Sequence, residues 1–264
     1  MPTKKGTYIY KFAPINEFTF RNLILSQLWF GPPNSMNDQL EGLIKVQNTN
    51  FKPSQKAIDN FITTNSLENY YWDPRWQIKE QGFLNFYMSF WFRYELNRYG
   101  ISCFSLNPKE PLMWAHYANK HNGLCLVYDK EELLNSLKDF DSSFDSAKVN
   151  YRSRPTLTLY ERNSHIEFTS NTPVIASKNP NWKYEKEFRI FFKPQQDKLF
   201  QGQAILIDHS ALKEVIYGYQ VSQEDENVVS QILRNDPHYN VDESIAKIDF
   251  ESGNIFFDGN ERND

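Results

Sequence analysis

The chain has 264 residues, of which 40% are apolar and 16% aromatic. Its net charge of −4 excludes a strongly basic nucleic-acid binder, although a local basic groove stays open. No stretch approaches the roughly 18 apolar residues of a membrane span, and the N-terminus lacks the apolar run of a signal peptide. Cys103 and Cys125 fall in predicted strands, and we expect buried free thiols there. These features predict a cytoplasmic protein without membrane contact.

The first third of the chain predicts strands, one helix and a helical insertion. Residues 7–12 are rich in β-formers, and residues 16–27 place apolar side chains at helical spacing behind a capping Asn16. Leu28–Phe30 predicts a short strand that the following glycine and prolines end. Residues 53–98 carry apolar side chains at helical spacing, which predicts two or three helices forming a lid or side lobe.

The remaining elements mix strands and helices without strict alternation. Strands are predicted at residues 101–105, 123–128, 148–151, 187–193, 204–207 and 215–217. Helices are predicted at residues 111–120, 129–139 and 222–234, a long loop with a short helix at 152–181, and a hairpin at 244–257. We therefore predict one α+β domain over residues 1–264, with 53–98 as a helical insertion within it.

The acidic segment Trp182–Arg189 is the strongest candidate for a functional site. On a strand, Glu185, Glu187 and Arg189 would share one face because side chains alternate. Two adjacent carboxylates repel, so the pKa of at least one should be raised unless the arginine pairs with it. Trp182 and Tyr184 could form a stacking wall beside them. The alternative is a salt-bridge ladder on a surface strand.

A second motif runs from Met113 to Gly123 and predicts a helix ending at the glycine. Trp114 and Tyr117 share a helical face. The two histidines of this segment are five residues apart, which is not the i, i+4 spacing of a zinc-binding helix, so no zinc site is predicted on this helix. His116 is either a general base or a hydrogen-bonded structural histidine.

A third set of polar residues lies near the N-terminus. Tyr10 and Lys11 belong to the first strand, and the lysine could bind a phosphate as a point charge. Asn37, Asp38 and Glu41 follow the second strand, where the first two could equally be turn residues bonded to local backbone. Neither a glycine-rich phosphate loop nor a G-x-S-x-G nucleophile turn is present in the sequence.

Taken together, these motifs resemble the bacterial family of domain of unknown function 2971. The resemblance covers nearly the whole chain, and its two specific motifs are Met-Trp-x-His-Tyr and Trp-x-Tyr-Glu-x-Glu-x-Arg. The matching segments are Tyr10–Phe12, Leu28–Phe30, Asn37–Glu41, Phe104–Ser105, Met113–Ala118, His121–Gly123, Trp182–Arg189 and Ile216–Gly218. In the loop Asn37–Glu41, Gln39 stands where the family usually has proline.

The order of strands is also similar, more distantly, to the ADP-ribosyltransferase superfamily. This similarity implies a split core of mainly antiparallel sheets, with NAD as the substrate. It implies that Glu187 is the catalytic glutamate, that Glu185 steers the acceptor, and that Tyr117 or His116 lines the nicotinamide pocket. Lys11 stands where the superfamily has Arg or His. The residues expected to bind the dinucleotide are Lys11, Tyr10, Ser105, Tyr117, Trp114 and Arg189.

Three functions remain open from the sequence. The first is an NAD-consuming transferase or glycohydrolase, a toxin or antiviral defence effector whose acceptor is a nucleic acid or a protein. The second is a metal-dependent nuclease that collects Mg²⁺ through Asp38, Glu41, Glu185 and Glu187, with His116 as the base. The third is a non-catalytic sensor that binds a nucleotide or a protein in the same cleft.

Overall fold

The computed structural model describes residues 7–38, 41–47, 50–64, 91–151, 154–170, 173–195 and 198–258. The strands are β1 (Tyr8–Ala13), β2 (Gln27–Phe30), β3 (Lys45–Val46), β4 (Gly100–Ser105), β5 (Leu124–Asp129), β6 (Asp145–Lys148), β7 (Thr156–Arg162), β8 (His165–Ser170), β9 (Glu187–Phe192), β10 (Gln203–Leu206), β11 (Leu212–Tyr217), β12 (Asp242–Ile248) and β13 (Ile255–Asp258). The helices are α1 (Glu17–Ile24), α2 (Gln55–Thr64), α3 (Pro111–Tyr117), α4 (Lys130–Phe140) and α5 (Gln223–Asn235). Within the described ranges, every helix is too short or too polar to span a lipid bilayer.

One large sheet organises the molecule. Its eight strands follow the order β13-β12-β11-β5-β1-β4-β9-β6. Neighbouring strands are antiparallel except for β11 and β12, which are parallel and joined through α5. A two-stranded sheet, β10-β2, and a three-stranded sheet, β3-β7-β8, accompany it. The predicted α+β class with mainly antiparallel sheets is confirmed.

The register of the large sheet decides which side chains share a face. Tyr10 pairs with Ser105, and Ser105 pairs with Glu187, so these three side chains point to the same side of the sheet. Lys11 follows Tyr10 along β1 and therefore points to the opposite side, together with Phe104. The two faces are consequently separate chemical environments.

Different helices cover the two faces. On the Lys11 face, α1, α4 and α5 contribute Leu23, Leu133 and Val229 to the main hydrophobic core. On the Tyr10 face, α3 packs Trp114 against the edge of the Phe12 ring, with 5.1 Å between the ring centroids. Because α3 covers only part of that face, room for a site remains beside it.

The prediction of a long loop at residues 152–181 is wrong over much of that range. β7 and β8 form an antiparallel hairpin there, and Asn163 and Ser164 adopt positive φ angles at its turn. Alternating apolar and β-branched residues in Thr156–Arg162 carry the strand signal, and Asn tolerates the left-handed conformation well. The hairpin pairs with β3 and packs on α2 around a second core that contains Leu157 and Leu159.

Two further boundaries differ from the prediction. The strand predicted at 148–151 is β6 at Asp145–Lys148, because the chain then leaves the sheet to form a bridge between Asn150 and Ser177. The helix predicted to run to residue 120 ends at Tyr117, since residues 119–121 all have positive φ angles. β9 is second from the sheet edge, covered there by β6.

The predicted helical insertion at residues 53–98 is described in two pieces. α2 and residues 91–96 are helical. Ile58, Phe61 and Ile62 of α2 are buried in the second core, as their helical spacing predicts. Residues 65–90, with the predicted helical positions Phe83 to Phe90, lie outside the described residues.

Candidate functional site

A cavity of about 110 Å³ lies on the Tyr10 face, where β1, β4 and β9 are adjacent. We call it the Lys178 cavity. Its wall is apolar and aromatic at Tyr10, Phe12, Met36, Met113 and Tyr117. Its polar lining consists of Asn37, Cys103, Ser105, Lys178, Glu185 and Glu187.

Lys178 joins the two glutamates of the acidic segment. Its Nζ lies 2.5 Å from Glu185 Oε2 and 3.1 Å from Glu187 Oε2. All three side chains are at most 5% exposed, so the ion pairs are shielded from water. The ammonium also lies 4.9 Å from the centroid of the Trp182 ring, which adds a cation–π contact.

Arg189 extends the charged cluster away from the cavity. Its Nε donates to Glu187 Oε1 at 2.8 Å, and its Nη1 lies 2.5 Å from Glu41 Oε1. The guanidinium also donates to the carbonyl oxygen of Ile175 at 2.6 Å. An unbroken line of charges therefore runs from Glu41 through Arg189, Glu187 and Lys178 to Glu185.

Local backbone geometry differs from the predicted strand entry. Glu185 is the last residue of a 3₁₀ helix at Pro180–Glu185, Lys186 adopts φ +42°, and β9 begins only at Glu187. Strand alternation therefore does not explain why both carboxylates face the cavity, and that part of the prediction is wrong. The tight turn at Lys186 is held by Ser105, whose Oγ donates to the carbonyl oxygen of Glu185 at 2.7 Å.

The two carboxylates have opposite pKa shifts. Burial opposes the ionisation of Glu187, but the charge and hydrogen bonds of Arg189, with Lys178, lower its pKa to about 2. Burial raises the pKa of Glu185 above its ordinary value, and the ion pair with Lys178 and the Tyr117 hydrogen bond only partly offset this effect. The sequence-based expectation of one raised carboxyl pKa agrees with this arrangement.

Tyr117 closes the outer side of the cavity. Its hydroxyl donates to Glu185 Oε1 at 2.5 Å and accepts a hydrogen bond from the side-chain amide of Asn37. Burial and the neighbouring glutamate raise the pKa of this phenol, so it remains a hydrogen-bond donor. Asn37 itself is exposed, and the rim of the cavity therefore reaches solvent here.

Five residues chosen from the sequence meet around this cavity. Glu185 and Glu187 line it together with Tyr10, Ser105 and Tyr117. Arg189 lies behind the lining as the partner of Glu187, with a side chain 1% exposed. Its position favours a role in holding the carboxylate over a direct contact with a ligand.

The expectation that Lys11 shares a cleft with Ser105 and Glu187 is wrong. The Lys11 Nζ donates to Ser102 Oγ at 3.0 Å and to the carbonyl oxygen of Cys103 at 3.1 Å, and lies 5.0 Å from the Phe104 ring centroid. Alternation along β1 places it on the helix-covered face of the sheet. Burial also lowers its pKa, so this environment disfavours a charged phosphate-binding group.

Two aromatic candidates of α3 also lie outside the cavity. Trp114 is fully buried against Phe12, and its Nε1 donates to the carbonyl oxygen of Pro108 at 2.7 Å. It is therefore a core residue and not part of a nicotinamide pocket. His116 is exposed on the opposite side of the helix, 6.2 Å from the ring of Tyr184, and does not line the cavity.

Sequence reasoning missed the residues that complete the cluster. Lys178 fell in the segment assigned to a loop, and no motif marked it. Cys103 was treated as a core thiol, yet it lines the cavity and hydrogen-bonds Glu187, and burial raises the pKa of the thiol. Tyr151 accepts a hydrogen bond from the backbone N–H of Glu187 at 2.6 Å, which fixes the start of β9.

Comparison with known proteins identifies one family. The model of the family described as "Protein of unknown function (DUF2971)" matches residues 113–190. No curated protein and no solved structure matches the chain. The matched range contains Tyr117, Lys178, Glu185, Glu187 and Arg189. The resemblance to this family of unknown function is therefore confirmed over residues 113–190, the stretch that supplies most of the charged site.

Proposed function

We propose that the protein cleaves the nicotinamide–ribose bond of NAD and transfers the ADP-ribosyl group to an acceptor or to water. The supporting observation is the pair of buried carboxylates on Lys178 whose pKa values are shifted in opposite directions. Such a pair divides acid–base work from charge stabilisation within one site. The substrate class comes from the resemblance in strand order to ADP-ribosyltransferases, under which Glu187 would be the catalytic glutamate.

The charge of the cluster also favours a cationic substrate. When all groups are ionised, three carboxylates face two cations, which leaves one negative charge in a shielded place. Nicotinamide in NAD is a positively charged pyridinium ring. The aromatic side chains of Tyr10, Phe12 and Tyr117 would surround that ring, and aromatic faces attract cations.

Glu185 and Glu187 can account for the charge and the proton in the proposed reaction. The bond between ribose C1′ and the pyridinium nitrogen breaks, and its electron pair leaves with neutral nicotinamide. Glu187, already ionised, stabilises the positive charge that develops at C1′. Water or an acceptor hydroxyl then attacks C1′ and gives its proton to Glu185, whose raised pKa makes it a stronger base than an ordinary carboxylate.

The nuclease alternative receives less support from the geometry. Glu185, Glu187 and Glu41 are each engaged by Lys178 or Arg189. In the part of the chain that the structure describes, no group of three histidine, cysteine or acidic side chains is placed to hold a metal ion.

NAD is abundant in the cytoplasm, where its depletion would be toxic, so we propose a cytoplasmic toxin or antiviral effector.

The test is NAD consumption by the purified chain, with and without cell extract to supply an acceptor or activator. We expect turnover in the wild type, and a loss of at least 100-fold in Glu187→Gln, because the substitution removes the charge opposite C1′. Glu185→Gln should retain more activity than Glu187→Gln, since only proton transfer is impaired. Circular dichroism checks that each variant is folded.

Glu132→Gln is the matched control, because Glu132 pairs with Lys213 at the surface, on the other side of the sheet. Its turnover should equal that of the wild type. Should Glu187→Gln fail to fold, Glu185→Gln decides the test. Wild-type protein that leaves NAD intact with extract, or a folded Glu187→Gln variant with full turnover, would refute the proposal.

A further inference from the structure

A row of aromatic side chains runs outward from the rim of the Lys178 cavity. Tyr117 lines the cavity, and its ring centroid lies 6.5 Å from that of His116. The His116 ring lies 6.2 Å from the Tyr184 ring, which in turn lies 6.2 Å from the Trp182 ring. We call His116, Tyr184 and Trp182 the aromatic strip. Its members come from α3 and from the 3₁₀ helix that precedes β9, so the fold brings two separate segments together to form it.

The rings of the aromatic strip are accessible and are not part of a hydrophobic core. His116 is exposed, and Tyr184 and Trp182 are half-buried. None of the three belongs to the hydrophobic clusters that the described residues form. Adjacent aromatic rings at a surface are the feature on which proteins stack the flat bases of nucleotides. The strip is therefore suited to a ligand with a flat ring.

The Lys178 cavity can enclose only one end of a dinucleotide. Its volume is about 110 Å³, whereas pockets that enclose a whole small molecule measure roughly 300–1,000 Å³. A second cavity, of about 370 Å³, lies beyond Met36, but its lining among the described residues contains no aromatic ring. A base that leaves the first cavity past Tyr117 finds aromatic partners on the strip instead.

We propose that the aromatic strip binds the adenine base of NAD while the nicotinamide end occupies the Lys178 cavity. The inference rests on the proposed function for the identity of the dinucleotide. Adenine presents a flat π-face, and stacking on aromatic side chains holds a base without requiring hydrogen bonds to its edge. The two ends of the substrate would thus be bound by different parts of one continuous surface.

The charges near the aromatic strip are of both signs, so the choice of ligand depends on the rings. Lys183 and Lys186 are exposed in the segment that carries Tyr184 and are available to the pyrophosphate. Burial, together with the charges of Glu185 and Glu110, raises the pKa of the Tyr184 phenol. The Tyr184 ring consequently lies near the Glu185 end of the cavity, where the two parts of the substrate would meet.

Isothermal titration calorimetry with AMP as the probe tests the strip without any turnover of NAD. We expect one AMP to bind per chain, and Tyr184→Ala to weaken its binding roughly tenfold, because a stacking ring is lost. Tyr184→Phe keeps the ring and should bind AMP as the wild type does. Ribose 5-phosphate, which lacks the base, should bind roughly tenfold more weakly than AMP.

Tyr160→Ala is the matched control, because Tyr160 is 37% exposed on β7, outside the large sheet. Its affinity for AMP should equal that of the wild type. If Tyr184→Ala fails to fold, His116→Ala decides the test, since His116 is exposed. Absence of AMP binding to the folded wild type at millimolar concentration would overturn the inference. Equal affinity in the wild type and in the folded deciding variant would do so as well, because it would locate the probe elsewhere.

The NAD assay separates this inference from the reaction itself. In the wild type, KM should be lower for NAD than for nicotinamide mononucleotide, which lacks the adenylate half, and Tyr184→Ala should reduce the ratio roughly tenfold. A protein that consumes NAD but binds AMP equally well with and without the Tyr184 ring would refute the adenine site alone. A protein that binds AMP on the strip but leaves NAD intact would refute the reaction and retain the strip as an adenine nucleotide site.

Discussion

Lys178 is buried on one face of the large sheet and Lys11 is partly buried on the other, and the two lysines differ in what surrounds them. Lys178 lies between the carboxylates of Glu185 and Glu187. Lys11 lies against a hydroxyl, a carbonyl oxygen and the ring of Phe104, and none of the carboxylates in the described ranges forms an ion pair with it. Lys178 is buried and Lys11 partly buried, and in both cases desolvation works against the charge.

The effect of burial on the pKa of each lysine depends on the groups in contact with it. The glutamates outweigh desolvation and raise the pKa of Lys178, whereas desolvation dominates at Lys11 and lowers its pKa. The first arrangement keeps a cation next to two acids and can organise chemistry. The second satisfies hydrogen bonds under a layer of helices and contributes to the core. A buried lysine is thus informative about function only through its neighbours.

Lys178→Met should have the largest effect on stability. Among the described residues, the substitution removes the cation that pairs with Glu185 and leaves Arg189 as the partner of Glu187. Removing one partner of a buried ion pair destabilises a protein by about 3–5 kcal/mol. Urea denaturation followed by circular dichroism measures the change in the free energy of unfolding.

Lys213→Met is the control for this substitution, since Lys213 pairs with Glu132 at the surface. An exposed pair contributes about 0–1 kcal/mol, so the control should remain close to the wild type. Adding Glu185→Gln to Lys178→Met should restore part of the loss, because the unpaired charge is then gone. If Lys178→Met and Lys213→Met are equally stable, the buried charge cluster does not exist in solution.

Acid denaturation should show the contribution of Glu187, a second member of the same charge cluster, to stability. The pKa of Glu187 falls from 4.5 to about 2 on folding, so its stabilising contribution is fully present above pH 4.5 and is lost as the pH falls towards 2. The difference corresponds to roughly 3 kcal/mol. Glu185 does not contribute to the change in stability over this pH range. Folding raises its pKa, so Glu185 alters the pH dependence of the free energy of unfolding only above its ordinary pKa.

In Glu187→Gln, the free energy of unfolding should therefore change less than in the wild type between pH 4.5 and 2. Urea titrations at several pH values give both slopes. Glu132→Gln, at the surface, should keep the steep wild-type dependence. An identical pH dependence in the wild type and Glu187→Gln would mean that Glu187 titrates normally and is not held by Arg189.

The sequence predicted much of the fold because local patterns determine it. Asn16 caps the helix for which it was proposed, and Asp129 and Ser222 cap α4 and α5 in the same way, since a side-chain oxygen at that position accepts from the free N–H groups of the first turn. Glu185 and Glu187 of the acidic segment, predicted to form a site, line a cavity. Alternation even assigned Glu187 and Arg189 correctly to one strand face, although Glu185 reaches the cavity by a different route.

The remaining parts depended on contacts between distant segments. Lys178 reaches both glutamates because the bridge between Asn150 and Ser177 brings its segment alongside the end of β6. No local spacing encodes that bridge. The choice of Lys11 failed for a related reason. The sequence of one strand shows that its side chains alternate between two faces, but not which face the helices cover. Here the helices cover the face to which Lys11 points.

Lys11→Met should have the smallest effect and sharpens the contrast between the lysines. Methionine has a similar length and can contact the Phe104 ring through its sulfur, but it removes the hydrogen bonds that Lys11 donates to Ser102 and to the Cys103 carbonyl. We expect destabilisation of about 1–2 kcal/mol and NAD turnover within twofold of the wild type. Urea denaturation and the NAD assay measure the two quantities. A folded Lys11→Met variant without turnover, beside an active Lys178→Met, would instead assign substrate binding to Lys11. The catalytic surface would then have to be sought on the helix-covered face of the sheet.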